Sequence, residues 1–268
     1  PLFTHRMLPR ARDLNRCFAP PYEDEQGHLA EEILALLRLH QPECIVDMHN
    51  TSGRSPAFAI SNDTAPEKTA LASLFTDRLL LLDITMGTLM EQEFGSATVV
   101  TIEVGGRAEK RAQDRAYDGL NRLLGTGSAP GQVPLHARSE TALKVLQHPL
   151  RLELLPGVAL VYDRAPRPGY DVTLLEDLEQ HNFGVVNSGT DFGWSEAPVE
   201  QLFLARDAAG RCALSAIVRK DHDRLVAARD LRLIMITNNA SIAESDCLFY
   251  AVARDGSPLT SLLPLESP

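Results

Sequence analysis

Positive charge, paired cysteines and long apolar runs are what this sequence has least of. Its 268 residues hold 26 Lys and Arg against 36 Asp and Glu, a formal net charge of −10. A chain this acidic lacks the basic face that a phosphate backbone requires, which excludes nucleic acid as the main partner. No segment approaches the roughly 20 apolar residues that span a bilayer, so no membrane partner is expected. No signal-peptide pattern opens the sequence as given. The cysteines Cys17, Cys44, Cys212 and Cys247 lie far apart. They form no CxxC or zinc-knuckle spacing, and reduced thiols in a cytoplasmic protein are the expectation. A starting methionine is also missing. Pro1-Leu2-Phe3-Thr4-His5 reads like the interior of a domain, and residues upstream of it are expected.

What is present is enough apolar material for a sizeable core, 44% of the residues, in one large or two modest domains. Residues 1–22 are rich in arginine and proline and read as loop. From Asp24 to about His40, Leu29, Ile33, Leu36 and Leu37 recur at helical spacing, and Pro42 stops the helix. A strand over 43–49 follows, then a Ser/Gly/Arg/Pro loop and a short apolar run, Ala57 to Ile60. Asp63 or Thr64 is placed to cap a second helix with Leu71, Leu74, Phe75 and Leu79 facing inward. Residues 97–104 are β-branched and read as a buried strand ending at Glu103. A charged helix over 107–124 has Ala112, Ala116, Leu120 and Leu123 as its inward face.

Gly125 to Gly131 is the clearest linker. Beyond it, short β-type runs (152–155, 158–162, 202–205, 212–218, 231–237 and 248–253) separated by turn residues predict a mainly antiparallel domain, with Asp207-Ala208-Ala209-Gly210 as a hairpin turn. The fold class is therefore α/β. A mixed sheet flanked by helices occupies residues 1–128, and a β-rich domain occupies 132–268. The second domain is expected to cover a pocket mouth or to build a homo-oligomer interface. His136, His148, His181 and His222 show no mutual ligand spacing and read as ordinary residues.

Chemistry concentrates in three stretches. Asp47-Met48-His49-Asn50-Thr51-Ser52 ends an apolar strand in a carboxylate, an imidazole and an amide, at the edge where open α/β sheets place their sites. His49 alone reads first as a hydrogen-bonded structural histidine, but Asp47 and Asn50 beside it favour a ligand, since a ligating imidazole usually has a polar partner that fixes its tautomer. Glu103, followed by Val-Gly-Gly, is either a strand-end carboxylate facing water or a general base whose apolar surroundings favour its protonated form. Asn15-Arg16 is either a surface pair or a clamp holding a carboxylate by parallel hydrogen bonds that lysine does not reproduce. Arg6, Arg10, Arg12 and Arg16 cluster in an acidic chain, which points to an anionic small-molecule substrate.

Asp13-Leu14-Asn15-Arg16, Asp47 to Ser52 and Ile102-Glu103-Val104-Gly105, in that order, resemble the aspartoacylase and succinylglutamate desuccinylase family over the first two-fifths of the chain. The resemblance implies a zinc carboxypeptidase-like fold and a zinc-dependent amidohydrolase that cleaves the acyl-amide bond of an N-acyl amino acid. It implies that His49 is a zinc ligand and Glu103 the catalytic base and acid. Asn15 and Arg16 would hold the substrate carboxylate, with Asn50 lining the pocket. Asp13 and Asp47 would support zinc histidines from behind, and Arg6, Arg10 or Arg12 would steady the oxyanion. The family's H-x-x-E zinc motif has no match before Asp13, and His28-Leu29-Ala30-Glu31 falls on a helix face expected to be solvated. Leu89 to Phe94 carries neither the tyrosine nor the arginine that aspartoacylase uses before its glutamate. A metallocarboxypeptidase acting on peptides and a metal-free relative that only binds a small carboxylate remain the alternatives.

Overall fold

β-Branched and aliphatic runs set between three helices make the first sheet of this protein. The computed structural model describes residues 11–106, 109–127, 142–207 and 209–262. The chain divides into two units, one of Pro1–His49, Ala57–Val104 and Lys110–Val145, the other of Asn50–Pro56, Gly105–Glu109 and Leu146–Pro268. Arg6, Arg10, His136 and the end of the expected linker, with the domain boundary at 128–132, lie outside the described residues. Among the described residues no helix is long and apolar enough to cross a membrane.

The first sheet contains β1 (Cys44–Thr51), β2 (Phe58–Ser61), β3 (Arg78–Leu81), β4 (Thr98–Gly106) and β5 (Lys144–Leu146), in the order β1-β4-β2-β3-β5. β2 runs antiparallel to β4 and parallel to β3, so the sheet is mixed. One face carries Cys44, Val46 and Met48 from β1 and Val100, Ile102 and Val104 from β4. They pack with Ala70, Leu71, Leu74 and Phe75 of the α2 (Pro66–Ser73) segment and with Ala112, Ala116 and Leu123 of α3 (Lys110–Gly125). Because side chains alternate along a strand, Ile45, Asp47 and His49 and also Thr101 and Glu103 are left for the opposite face.

The helices depart from the expected phases. In α1 (Glu25–His40) the buried stripe is Gly27, Ala30 and Leu34, while Leu29 and Leu36, expected inside, are 42% and 55% exposed. The small residue decides this, since a Cβ on Gly27 would lie 2.7 Å from the Tyr22 Cα. In α3 the same logic selects Gly119, and Leu120 turns outward at 39% exposure. α2 has no side-chain cap and ends at Ser73, so Leu79 belongs to β3, a strand hidden in the expected helix. The Asp63 carboxylate instead accepts the Ala65 N–H at 2.9 Å in the preceding turn.

The second unit is built from two five-stranded sheets. Its strands are β6 (Leu150–Leu154), β7 (Leu160–Asp163), β8 (Val172–Leu175), β9 (Val185–Val186), β10 (Asp191–Trp194), β11 (Phe203–Leu204), β12 (Val218–Asp221), β13 (Arg224–Ala227), β14 (Leu231–Ile234) and β15 (Phe249–Ala253), with α4 (Ala240–Ser245) before β15. The orders are β12-β13-β10-β8-β7 and β11-β6-β15-β14-β9. Most pairs are antiparallel, and β7 with β8 is parallel. Phe192 from one sheet meets Phe249 from the other edge to face, centroids 5.7 Å apart, at the centre of a shared core. The 212–218 run, expected as a strand, is mostly a short helical turn at Leu214–Ala216, with β12 beginning only at Val218.

Candidate active site

The site residues of the first unit follow from how β1 and β4 meet. These strands are neighbours. The Thr98 N–H donates to the Glu43 carbonyl at 3.1 Å near their starts, and the Asn50 side-chain Nδ2 donates to the Gly105 carbonyl at 3.3 Å near their ends. Contacts at both the starts and the ends mean the strands run in the same direction. In a parallel ladder an N–H bonds the carbonyl one residue before its partner, so Cys44 stands beside Thr98, Asp47 beside Thr101 and His49 beside Glu103. On the far side of β4, Phe58 is the antiparallel partner of Glu103. Glu103 thus has β1 on one side and the fully buried Phe58 as its strand partner on the other, and is itself only 7% exposed.

β4 does not end at Glu103 as the sequence suggests. It continues through Gly105 and Gly106, and β1 likewise runs on to Thr51. His49 and Glu103 are therefore both held within strands of the sheet. His49 Nε2 lies 2.9 Å from Asp47 Oδ1, within ion-pair distance on the same face of β1.

Asp13-Leu14-Asn15-Arg16 forms one helical turn, Leu14–Arg16, capped by Asp13, whose carboxylate accepts the Asn15 N–H at 3.0 Å. Asp13 has this local task whether or not it also supports a metal ligand. Arg16 Nη1 donates to the Asn15 carbonyl at 2.9 Å. The Asn15 Oδ1 is buried and meets no hydrogen-bond donor among the described residues. Arg12, expected to contact substrate or an oxyanion, is committed elsewhere: its fork bonds Asp24 at 2.6 and 2.8 Å and the Pro21 carbonyl at 3.0 Å. Asp24 is the N-cap of α1, and the Arg12 hydrogen bond holds its carboxyl well below the usual carboxylate range.

Some supporting residues carry no signal in the sequence. The Glu91 carboxylate collects the Met86 N–H at 2.9 Å, the Gly87 N–H at 2.9 Å and the Thr88 hydroxyl at 2.8 Å. That turn packs on the Arg16 segment: the Phe18 N–H donates to the Gly87 carbonyl at 3.0 Å. A Cβ on Gly87, whose φ is +75°, would lie 2.9 Å from the Arg16 carbonyl oxygen. The stretch without a match to the family's tyrosine and arginine therefore braces the Asn15-Arg16 turn.

The second unit holds the loop that leaves β1. A Cβ on Gly53 would lie 2.3 Å from the Ile236 carbonyl oxygen. The Arg54 N–H donates to Glu179 Oε2 at 3.2 Å, and the Arg54 carbonyl accepts from Asn182 Nδ2 at 2.6 Å. The Ser55 N–H donates to Glu109 Oε1 at 3.3 Å. A Cβ on Gly106 would lie 3.2 Å from the Arg54 Cα. Arg54 is thus pressed against the end of the strand that carries Glu103.

A zinc ion fits these residues only in part. His49 is a suitable nitrogen donor, and catalytic zinc ordinarily has three protein ligands. Among the described residues no three His, Cys, Asp or Glu side chains converge to hold a metal. Those residues do not make a zinc site by themselves.

No protein-family model matches the chain, and no curated protein matches it in sequence. Solved structures do. Murine aminoacylase 3 aligns with a TM-score of 0.50 at 16% identity, over 90% of this chain and 76% of that one. A succinylglutamate desuccinylase/aspartoacylase from Rhodobacter sphaeroides aligns with a TM-score of 0.50 at 17% identity, over 86% of this chain. A succinylglutamate desuccinylase from a Silicibacter species gives 0.50 at 17% over 89%. The chain has the fold of these acylases. It spans 64% and 66% of the length of the two bacterial structures.

Proposed function

We propose that this protein hydrolyses the acyl-amide bond of a small N-acylated amino acid, releasing a carboxylic acid and an amine. The observation that carries the reading is the buried Glu103 carboxylate placed beside His49 on one face of the first sheet, in the fold of known acylases. Glu103 takes a proton from water, the water oxygen attacks the amide carbonyl, and Glu103 returns the proton to the leaving nitrogen as the C–N bond breaks. Burial against Phe58 suits a group that must both accept and release a proton. Asn15 and Arg16 hold the substrate carboxylate, and Asn50 lines the same strand end. His49, steered by Asp47, is the donor these residues would offer to zinc, which when bound would supply Lewis-acid activation.

The test is acid release from a panel of N-acyl amino acids, set against peptides with a free C-terminus, with zinc measured by elemental analysis. Glu103→Gln should lower turnover by roughly 10²- to 10⁴-fold while leaving zinc content unchanged. Preference for peptides would move the activity to a carboxypeptidase. No turnover of any member by the parent, with carboxylate binding retained, would replace the enzyme with a carboxylate-binding protein.

A further inference from the structure

We propose that Glu91 is a positioning residue for the substrate clamp: acting through Gly87, it sets where the Asn15-Arg16 turn stands and so how tightly the substrate carboxylate is held. The proposal rests on the hydrolase reading above and concerns residues of the first unit alone. A half-buried glutamate beside a turn ordinarily serves only that turn. What distinguishes Glu91 is that the turn it holds is packed against the clamp. Its carboxylate collects the Met86 N–H at 2.9 and 3.1 Å, the Gly87 N–H at 2.9 Å and the Thr88 hydroxyl at 2.8 Å. Hydrogen bonds to an ionised acceptor are roughly twice as strong as neutral ones, and three donors converging from consecutive residues fix the backbone between Met86 and Thr88.

That backbone meets the clamp at Gly87. Its φ of +75° disfavours any side chain, and a Cβ there would lie 2.9 Å from the Arg16 carbonyl oxygen. The Gly87 carbonyl accepts the Phe18 N–H at 3.0 Å, so the chain is held both at Arg16 and two residues beyond it. The turn has bonds of its own: the Arg16 N–H donates to the Asp13 carbonyl at 2.8 Å, the Cys17 N–H to the Leu14 carbonyl at 3.0 Å and the Cys17 thiol to the Asp13 carbonyl at 3.2 Å. Those bonds give the turn its shape, and the Gly87 contact gives it its place. Asn15 Oδ1, buried with no donor among the described residues, leaves the turn with hydrogen-bonding capacity that a ligand completes. A clamp of one amide and one guanidinium works only while both stand within about half an ångström of the productive geometry. Glu91 is the anionic group that keeps Gly87, and through it the clamp, where it stands.

The experiment compares an N-acetyl amino acid with its C-terminal carboxamide, which lacks the carboxylate the clamp holds, by acetate release in the parent, Glu91→Gln, Glu91→Asp and Gly87→Ala. The parent should show the lower KM for the acid. Glu91→Gln keeps the side chain's shape but loses its charge and one acceptor oxygen. It should raise KM for the acid by about tenfold, short of the roughly 100-fold that a 1 Å misplacement costs, with kcat within about twofold of the parent. KM for the carboxamide should not change, a split that general loss of stability does not produce. Gly87→Ala should act likewise from the other side of the contact, and Glu91→Asp, with the charge on a shorter arm, should fall between the parent and Glu91→Gln. Added to Arg16→Gln, Glu91→Gln should cost little more than Arg16→Gln alone. An unchanged KM for the acid in Glu91→Gln, an equal rise for both compounds, or a parent that does not distinguish them overturns the proposal. If the parent turns over neither compound, the hydrolase reading fails separately, and calorimetric binding of the same pair judges Glu91. Tighter binding of the acid that Glu91→Gln weakens upholds it. Equal binding, or none, overturns it.

Discussion

Replacing Gly53 by alanine tests the central structural claim, that the loop leaving β1 is seated rather than loose. The added Cβ would lie 2.3 Å from the Ile236 carbonyl oxygen and 3.2 Å from Glu179 Oε2. Ordinary contact would need about an ångström more, and the obstacle is backbone at a residue only 1% exposed, so neither partner yields cheaply. Overpacking of this kind costs about 1–3 kcal/mol. Alanine also narrows the unfolded ensemble, which returns about 0.4–1 kcal/mol. The net expectation is a loss of about 1–2 kcal/mol, a drop of several degrees in Tm for a unit of this size. Thermal and urea melts read it directly. Gly125→Ala is the control, because nothing lies within 4 Å of the Cβ it would add, and it should stay within about 0.5 kcal/mol of the parent. A Gly53→Ala protein that melts at or above the parent temperature would refute the seating of the loop.

Two further substitutions probe the first unit. Gly119→Ala gains about 1 kcal/mol of helix propensity, but its Cβ would lie 2.0 Å from Cδ1 of the buried Phe75 ring, so a net loss of about 1–2 kcal/mol is expected. Combining it with Phe75→Leu should recover part of that loss in a double-mutant cycle, and strict additivity would rule the clash out. Asp24→Asn keeps an N-capping side chain but removes the ion pair with Arg12. Since the folded Asp24 carboxyl lies below its usual range, the pair's contribution is present at neutral pH and fades as pH falls below about 4 through the depressed value. Urea titrations should show parent and variant converging in acid, and a gap independent of pH would exclude the pair.

The existence and order of β1, β4 and the helices flanking them were legible because each repeats its pattern over many residues. Their faces were less so. In α1 and α3 the leucines mark a helix without marking its buried side, because close approach is decided by Gly27 and Gly119, residues that contribute nothing to hydrophobic periodicity. β3 was hidden because Leu71, Leu74 and Leu79 fit a helical spacing while the chain turns after Ser73. The strand positions of His49, Asp47 and Glu103 were legible, because polar residues there interrupt apolar runs. The role of Arg12 was not, since a cation's partner is set by the folded position of Asp24. Glu91 and Glu179 each act on backbone N–H groups, and such contacts leave no trace in residue type.

The β-rich part of the chain is where the structure changes the reasoning most. From sequence it is expected to cover a pocket or to join copies of the chain. Yet Asn50–Pro56 and Gly105–Glu109, the segments that leave β1 and β4, group with Leu146–Pro268 rather than with the strands that lead into them. A strand fixes its side chains only as far as its ladder extends. Beyond Thr51 and Gly106, position must come from other bonds, here those of Glu179, Asn182 and Glu109 to loop backbone. An acyl-amide hydrolase needs its base and its specificity groups held to within about half an ångström, and loops left to themselves do not meet that tolerance. Glu103 and His49 lie within strands of the first sheet, whereas the backbone of Arg54 is held by Glu179 and Asn182 within the second unit. Glu179→Ala and Asn182→Ala should therefore speed amide hydrogen exchange in the loop over 52–55 while leaving β4 up to Glu103 unchanged, and equal acceleration in both would refute a separately seated loop.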